Sequence, residues 1–214
     1  MKLKICGMKY PDNLAEIVTL KPDYLGFIFY EKSPRYMADA LSPEIVRSLP
    51  SSIKRVGVFV NATTEDIRDK AERYGLHAVQ LHGQEPPEQC QELRSYGYTV
   101  IKVFSLGHDS FDFAQLTPYQ PQVDFFLFDT KGKQPGGNGQ TFDWCLLQDY
   151  PLETPFFLSG GIGTEEVASL RQLSFPFLYG VDVNSRFETE PGRKDVAALT
   201  ALRLPSTRQE TTKS

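Results

Sequence analysis

Short apolar segments that favour β-strands recur along the whole chain at nearly even spacing. There are eight in 214 residues, or one in about 27 residues. They cover residues 3–6, 24–29, 55–60, 78–81, 100–104, 125–128, 156–158 and 178–183. Most are continuous apolar runs, which is typical of strands buried on both faces. The pattern therefore predicts a parallel sheet that helices cover on both sides or on its outside.

The segments between these runs carry helical signals. Residues 64–75 place acidic side chains in the first turn and basic ones later, and Gly75 follows as a stop. This order of charges complements the helix dipole. Residues 87–94, closed by Gly97, and residues 164–171 follow the same rule. We therefore predict helices in these three segments.

Eight repeats of strand, loop and helix predict an α/β fold, the closed (β/α)₈ barrel, as a single domain. We assign residues 1–202 to this barrel and predict that the polar segment 203–214 is a frayed C-terminal tail. An open doubly wound sheet also alternates strands and helices. The count of eight and the lack of an early Gly-x-Gly-x-x-Gly motif favour the barrel.

Composition narrows the class of protein. The 23 basic and 27 acidic side chains give a net charge of −4, which argues against nucleic acid as the main partner. No apolar run is long enough to span a membrane, and the N-terminal strand pattern lacks the long apolar region of a signal peptide. Cys6, Cys90 and Cys145 have neither disulfide-framework nor metal-ligand spacing. We expect a cytoplasmic protein, as a monomer or a homodimer.

In such a barrel, reactive groups gather where the strands end at their carboxyl termini. The polar residues at or just after those ends are Cys6, Arg35, Asn61, Gln80, His82, Lys102, Asp129, Ser159, Asp182, Asn184 and Ser185. A thiol and a carboxylic acid in this set suit proton transfer. The phenylalanines that precede Asp129 would favour its neutral acid form. The alternatives are inert packing for Cys6, and a cap or an ion pair with Lys131 for Asp129.

Three other features of the sequence bear on the site. Arg35 follows Pro34 in a stiffened loop, and a guanidinium held in this way suits bidentate recognition of a carboxylate. The alternative is a solvated surface arginine. Lys102 is a weak candidate for a Schiff-base lysine, and the histidines have no metal-binding spacing. The polar, glycine-rich segment 131–140 is predicted to cover the site or to contact a ligand.

The last two strand ends carry the clearest binding signal. Gly160, Gly161 and Gly163 lie between a strand and a predicted helix, where backbone N–H groups can approach an anion closely. Asn184 and Ser185 add amide and hydroxyl donors after the eighth strand. The loops after strands seven and eight form the recurrent phosphate site of this fold, so we predict phosphate binding there. An ordinary tight turn at the glycines is the alternative.

Ten short motifs occur in a fixed order along most of the chain. They are Lys-Ile-Cys-Gly-Met (4–8), Lys-Ser-Pro-Arg-Tyr (32–36), Val-Gly-Val-Phe-Val-Asn (56–61), Gln-Leu-His-Gly (80–83), Phe-Asp-Thr (128–130), Gly-Gly-Asn-Gly (136–139), Phe-Asp-Trp (142–144), Leu-Ser-Gly-Gly (158–161), Gly-Val-Asp-Val-Asn-Ser (180–185) and Pro-Gly-Arg-Lys-Asp (191–195). Together they resemble the phosphoribosylanthranilate isomerase family. The resemblance implies an Amadori rearrangement of N-(5-phosphoribosyl)anthranilate to 1-(2-carboxyphenylamino)-1-deoxyribulose 5-phosphate in tryptophan biosynthesis, with no cofactor and no metal.

The same resemblance implies roles for individual residues. Cys6 would be the general base and Asp129 the general acid, and Arg35 would face the anthranilate carboxylate. The substrate would also contact a set of strand-end and loop residues, namely His82, Gly160, Gly161, Asp182, Asn184 and Ser185. The chain departs from the family pattern at Arg186, where many members have glycine. Arg186 would then either contact the phosphate or point to solvent.

Two further hypotheses stay open at this point. Another phosphosugar barrel, such as a pentose-phosphate epimerase or an enzyme that forms indole-glycerol phosphate, would need metal-binding His and Asp positions or a catalytic lysine with glutamates. Neither pattern is clear in this chain. A non-catalytic phosphosugar-binding module would need no acid–base pair, which the chain has in Cys6 and Asp129.

Overall fold

Eight parallel strands close into a barrel in chain order, with the last strand paired to the first. The computed structural model describes residues 1–107, 111–130, 144–166 and 175–202. The strands are β1 (Lys2–Ile5), β2 (Tyr24–Ile28), β3 (Lys54–Phe59), β4 (Ala78–Leu81), β5 (Thr99–Leu106), β6 (Phe125–Thr130), β7 (Phe156–Leu158) and β8 (Leu178–Val183). The prediction of a closed (β/α)₈ barrel is confirmed.

Helices pack on the outside of the barrel. They are α1 (Pro11–Thr19), α2 (Pro43–Arg47), α3 (Thr64–Tyr74), α4 (Pro87–Ser95) and α5 (Val196–Ala201). The first predicted helix is confirmed as α3, which ends at Gly75 with φ +61°. The second is confirmed as α4. The third, 164–171, extends beyond the described residues, of which 164–166 form a turn.

The connections around β6 differ from the regular pattern. Two short 3₁₀ helices, Phe113–Leu116 and Gln120–Gln122, lie between β5 and β6, where an α-helix was expected. Pro118 and Pro121 lie in this stretch, and a proline has no N–H to donate within a helix. A third 3₁₀ helix, Trp144–Asp149, precedes β7. The segment 131–140 and the tail 203–214 lie outside the described residues.

After β8 the chain adds a small structure to the barrel. A 3₁₀ turn, Ser185–Phe187, leads into two short antiparallel strands, β9 (Glu188–Glu190) and β10 (Arg193–Lys194). The side-chain amide of Asn13 on α1 binds the backbone of Lys194 through both its nitrogen and its oxygen. This hairpin is thereby attached to the helical layer and brings its side chains back toward the end of β8.

Side chains alternate between the inside of the barrel and the helical layer, as strand geometry requires. On β6, Leu127 belongs to an inner cluster with Ile101 and Val103 of β5. Phe126 and Phe128 belong to the outer cluster that packs against the helices. The same alternation turns Lys102, between Ile101 and Val103, away from the barrel interior.

Lys102 forms a buried ion pair in the loop region that follows β4. Its Nζ lies 3.0 Å from Glu85 Oε2 and donates to the Gly83 carbonyl at 2.8 Å. Glu85 Oε1 accepts the backbone N–H groups of Asn61 and Gly83 at 2.8 and 3.0 Å. Lys102 and Glu85 therefore hold two loops together, and Lys102 is no longer a candidate for Schiff-base chemistry.

We expect Lys102→Met to lower the free energy of unfolding by about 3–5 kcal/mol, because it leaves the Glu85 carboxylate buried without its cation. Urea titration followed by circular dichroism measures this change. The matched variant is Lys102→Met combined with Glu85→Gln, which removes the orphaned charge and keeps an oxygen for the N–H groups of Asn61 and Gly83. It should recover most of the loss. A change below about 1 kcal/mol in the single variant would contradict the structural role of the pair.

Candidate active site

A cavity that opens to solvent lies at the carboxyl ends of the strands. Its walls contain every residue to which the family resemblance assigned a catalytic or substrate-binding role: Cys6, Arg35, His82, Asp129, Gly160, Gly161, Asp182, Asn184 and Ser185. Gln80 and Ser159 also line it, whereas Asn61 and Lys102 do not. The structure thus gathers these lining residues from six widely separated segments of the chain around one space.

Cys6 stands at the end of β1 and is 3% exposed. Gly26 on the neighbouring strand makes room for it, since a Cβ at Gly26 would lie 2.7 Å from the Cys6 Sγ. Ile28, Val58 and Tyr30 pack around the thiol and form an apolar wall of the cavity. The sulfur is therefore held in one place, beside a surface suited to an apolar group.

A buried ion pair lies beneath Cys6, between the first and last strands. Lys4 and Asp182 are register partners across the β1–β8 pairing, and Lys4 Nζ lies 2.8 Å from Asp182 Oδ1. The Lys4 side chain is completely buried. Burial opposes the charged ammonium, but the Asp182 carboxylate and the Cys6 sulfur together outweigh this effect, and the pKa of Lys4 is raised. Lys4 therefore remains a cation, two residues before Cys6 on the same face of β1.

The thiol of Cys6 is subject to opposing electrostatic effects. Burial raises its pKa above the ordinary value of 9.0, and the Asp182 carboxylate also raises it, while the ammonium groups of Lys4 and Lys194 act to lower it. Burial is the larger effect, so the resting group is the neutral thiol at neutral pH. The two cations nevertheless provide positive charge where a thiolate would form.

Asp129 reaches the cavity from the inner face of β6. Its Oδ1 accepts the N–H of Thr130 at 2.9 Å, and its Oδ2 lies 3.5 Å from Nε2 of His82. Phe125, Phe126 and Phe128 were expected to lie beside this carboxyl. The rings of Phe126 and Phe128 instead pack outward among the helices, whereas Phe125 packs against the inner cluster. Lys131, the alternative ion-pair partner, lies outside the described residues.

Three residues that line the cavity each have a buried polar side-chain atom with no hydrogen-bond partner among the described residues. The atoms are Gln80 Oε1, His82 Nε2 and Thr130 Oγ1. Leaving a buried polar atom unpaired is costly, and native proteins do so rarely. Three such atoms around one cavity indicate that it accommodates a polar ligand. Thr130 directly follows Asp129 at a strand end but was not among the residues predicted to line the site.

Arg35 lines the cavity and is not a solvated surface arginine. Its Nε lies 3.0 Å from both carboxylate oxygens of Glu188, and its Nη2 lies 2.7 Å from Oε2. Nη1 makes no hydrogen bond to the part of the chain that the structure describes. Glu188 also accepts from Lys194 at 2.6 Å. Burial opposes ionisation of Glu188, but these two cations prevail and lower its pKa.

Lys194 connects this ion cluster to the loop after β8. Its fully buried ammonium donates to Asn184 Oδ1 at 2.7 Å as well as to Glu188. Because the amide oxygen of Asn184 is held in this way, its amide nitrogen is the group left to donate to a ligand. The roles of Glu188 and Lys194 were not predicted from the sequence, since neither residue lies at the end of a barrel strand.

The loop after β7 has the backbone shape expected of a close approach to a ligand. Gly160 and Gly161 have φ values of +86° and +66°, which side chains other than glycine rarely adopt. A Cβ at Gly160 would overlap the Thr130 hydroxyl. Gly160 therefore packs directly on β6, and both glycines line the cavity beside Asn184 and Ser185.

The described part of the chain contains no cluster of three or more residues arranged to bind a metal ion. Within the same residues, no helix has the length and apolar character needed to cross a membrane.

Comparisons with known proteins agree on one family. The family model described as N-(5'phosphoribosyl)anthranilate (PRA) isomerase matches residues 3–202. An N-(5'-phosphoribosyl)anthranilate isomerase of Parabacteroides distasonis is 44% identical over 200 residues, covering 93% of this chain and 90% of the relative.

Two solved structures show the same architecture. The phosphoribosyl anthranilate isomerase from Thermus thermophilus superposes with a TM-score of 0.83 at 28% identity, covering 94% of this chain and 96% of that one. A phosphoribosyl anthranilate isomerase in complex with reduced 1-(o-carboxyphenylamino)-1-deoxyribulose 5-phosphate has a TM-score of 0.76 at 35% identity, with the same coverage.

We expect the rate at which iodoacetamide alkylates Cys6 to increase with pH and to keep increasing above pH 9.0. The reason is that burial raises the pKa of the thiol above that ordinary value. Mass spectrometry of the digested protein measures the rate at each cysteine. Cys90, which is completely buried and does not line the cavity, is the internal control and should react far more slowly. A Cys6 rate that becomes constant below pH 8 would contradict the balance of charges described here.

Proposed function

This chain belongs to the N-(5'-phosphoribosyl)anthranilate isomerase family, and we propose that Cys6 and Asp129 act as the general base and general acid of its reaction. The reaction is the isomerisation of N-(5-phosphoribosyl)anthranilate to 1-(2-carboxyphenylamino)-1-deoxyribulose 5-phosphate in tryptophan biosynthesis. The observation that supports these two roles is that the thiol and the carboxyl line one cavity at the carboxyl end of the barrel.

The rearrangement requires two proton transfers. Asp129 donates a proton to the ribose ring oxygen as its bond to C1 breaks, and the anilino nitrogen supplies the electron pair that forms the iminium ion. Cys6 then removes the proton from C2, and the resulting enolamine tautomerises to the ketone. A positioned acid or base of this kind contributes about 10²–10⁴-fold to a rate.

The base must be a thiolate when it acts. A thiol with the ordinary pKa of 9.0 is about 1% ionised at pH 7, and burial of Cys6 reduces this fraction further. Lys4 and Lys194 oppose this effect by placing positive charge near the sulfur. We infer that the positive charge of these two lysines favours the thiolate form of Cys6. Asp182, which lines the cavity and is predicted to contact substrate, also holds Lys4 in place.

The cavity walls match the parts of the substrate. The apolar wall formed by Ile28, Tyr30 and Val58 suits the anthranilate ring, and Arg35 can offer Nη1 to the ring carboxylate. The unpaired atoms of Gln80, His82 and Thr130 suit the hydroxyls of the sugar.

At the other end, the phosphate would bind between the loops after β7 and β8. Gly160 and Gly161 would present backbone N–H groups, and Asn184 and Ser185 would add side-chain donors.

We also propose a cytoplasmic location, because the buried thiols of Cys6 and Cys90 form no disulfide, as in a reducing compartment.

We expect Cys6→Ser and Asp129→Asn each to lower kcat by about 10²–10⁴-fold, because each removes one of the two proton-transfer groups. Steady-state fluorescence kinetics with N-(5-phosphoribosyl)anthranilate measure the loss. Cys145→Ser and Asp149→Asn, at exposed positions, are the matched controls and should keep full activity. Near-normal turnover in a folded Cys6→Ser or Asp129→Asn variant would remove that residue from the mechanism.

We expect Arg35→Met to lower kcat/KM by about 10-fold or more, because it removes the guanidinium offered to the anthranilate carboxylate. Arg35→Lys keeps the charge but not the planar guanidinium, so its kcat/KM should lie between those of Arg35→Met and the native chain. Thermal unfolding of both variants tests whether loss of the Glu188 ion pair has disturbed the fold. Unchanged kcat/KM in Arg35→Met would show that the guanidinium makes no contact with substrate.

A further inference from the structure

We propose that Arg186 binds the phosphate group of the substrate and supplies the cation of that subsite. This inference rests on the proposed phosphate site between the loops after β7 and β8. Arg186 follows Asn184 and Ser185 in the 3₁₀ turn after β8, and its side chain lines the same cavity as Gly160 and Gly161. The sequence alone left open whether this side chain contacts phosphate or points to solvent.

The guanidinium of Arg186 lies against the glycine-bearing loop after β7. A Cβ built on Gly163 would lie 3.0 Å from Arg186 Nε and 3.4 Å from its Cβ. Gly163 is two residues after Gly161, and both belong to the loop predicted to present N–H groups to an anion. The arginine side chain therefore bridges the two loops that would hold the phosphate.

Two carboxylates lie beside this arginine. Arg186 Nη2 lies 3.5 Å from Glu166 Oε1 and 3.8 Å from Glu165 Oε2. Glu166 Oε2 also accepts the N–H of Gly163 at 2.8 Å. These acidic groups would repel a phosphate dianion, and Arg186 is the cation that faces both of them.

The contacts of Arg186 with these two carboxylates are weak enough for a phosphate to replace them. Both exceed ordinary hydrogen-bond length, and Glu165 is 84% exposed, so water screens its attraction to the arginine. A phosphate offers several oxygens to the planar guanidinium, and charge-assisted bidentate contacts of that kind are among the stronger hydrogen bonds. Arg186 can therefore turn from the carboxylates to a bound phosphate while it keeps its place between the loops.

The test is calorimetric titration of the native chain with inorganic phosphate, without substrate. We expect Arg186→Met to weaken phosphate binding by about 10- to 100-fold. The matched control is Arg193→Met. Arg193 also pairs with two carboxylates, those of Asp12 and Glu190, but it does not line the cavity. Arg193→Met should leave the dissociation constant for phosphate unchanged.

A second set of variants distinguishes direct binding from mere neutralisation of the two glutamates. Glu165→Gln combined with Glu166→Gln removes both negative charges and keeps an oxygen to accept the Gly163 N–H. In that background, Arg186→Met should still weaken phosphate binding by about the same factor. If Arg186→Met leaves phosphate binding nearly unchanged in either the native chain or the double-glutamine variant, Arg186 does not bind phosphate and the inference is wrong.

Kinetics separate this inference from the wider assignment of the site. Since the phosphate is remote from the carbons that react, Arg186→Met should raise KM and leave kcat nearly unchanged. Phosphate binding that depends on Arg186 in a chain whose Cys6→Ser variant keeps full turnover would support the inference and contradict the proposed base. An active native chain that binds no phosphate would overturn the subsite and the inference together.

Discussion

The ion pair between Lys4 and Asp182 lies where the barrel closes and directly below the proposed base. The two residues lie opposite each other where the first strand pairs with the last, although they are 178 residues apart in the chain. Neither charge would be tolerated in the barrel interior without the other. The pairing that closes the barrel therefore also places a permanent cation beneath Cys6, so closure of the fold and electrostatics of the site depend on the same contact.

A second set of buried charges organises the other side of the cavity. Glu188 receives Arg35 from the loop after β2 and Lys194 from the terminal hairpin, and Lys194 holds Asn184 after β8. The hairpin is in turn fastened to Asn13 of α1. Side chains at the proposed anthranilate and phosphate ends of the cavity are thus oriented by one network, and a change at either end is expected to affect the other.

Much of the fold and most of the candidate site could be predicted from the sequence, because their signals are local. Eight apolar runs with intervening helical charge patterns specify a barrel, and a barrel specifies which strand ends face the cavity. This reasoning placed Cys6, Asp129, Asn184 and Ser185 correctly on the cavity wall. It failed for Lys102, whose position between two inward-facing residues of β5 turns it outward. It also failed for Phe126 and Phe128, for the same reason of strand alternation.

What escaped prediction depends on contacts between distant parts of the chain. The pairing of Arg35 with Glu188 spans 153 residues, and no local pattern marks Glu188 or Lys194 as part of the site.

The central claim is that Cys6 and Asp129 act on one bound phosphosugar. A crystal structure of this chain with reduced 1-(o-carboxyphenylamino)-1-deoxyribulose 5-phosphate tests it most directly. We predict the Cys6 sulfur within reach of the sugar C2 and an Asp129 oxygen within reach of the former ring oxygen. A complex in which either residue can reach its substrate atom neither directly nor through one bridging water would contradict the account.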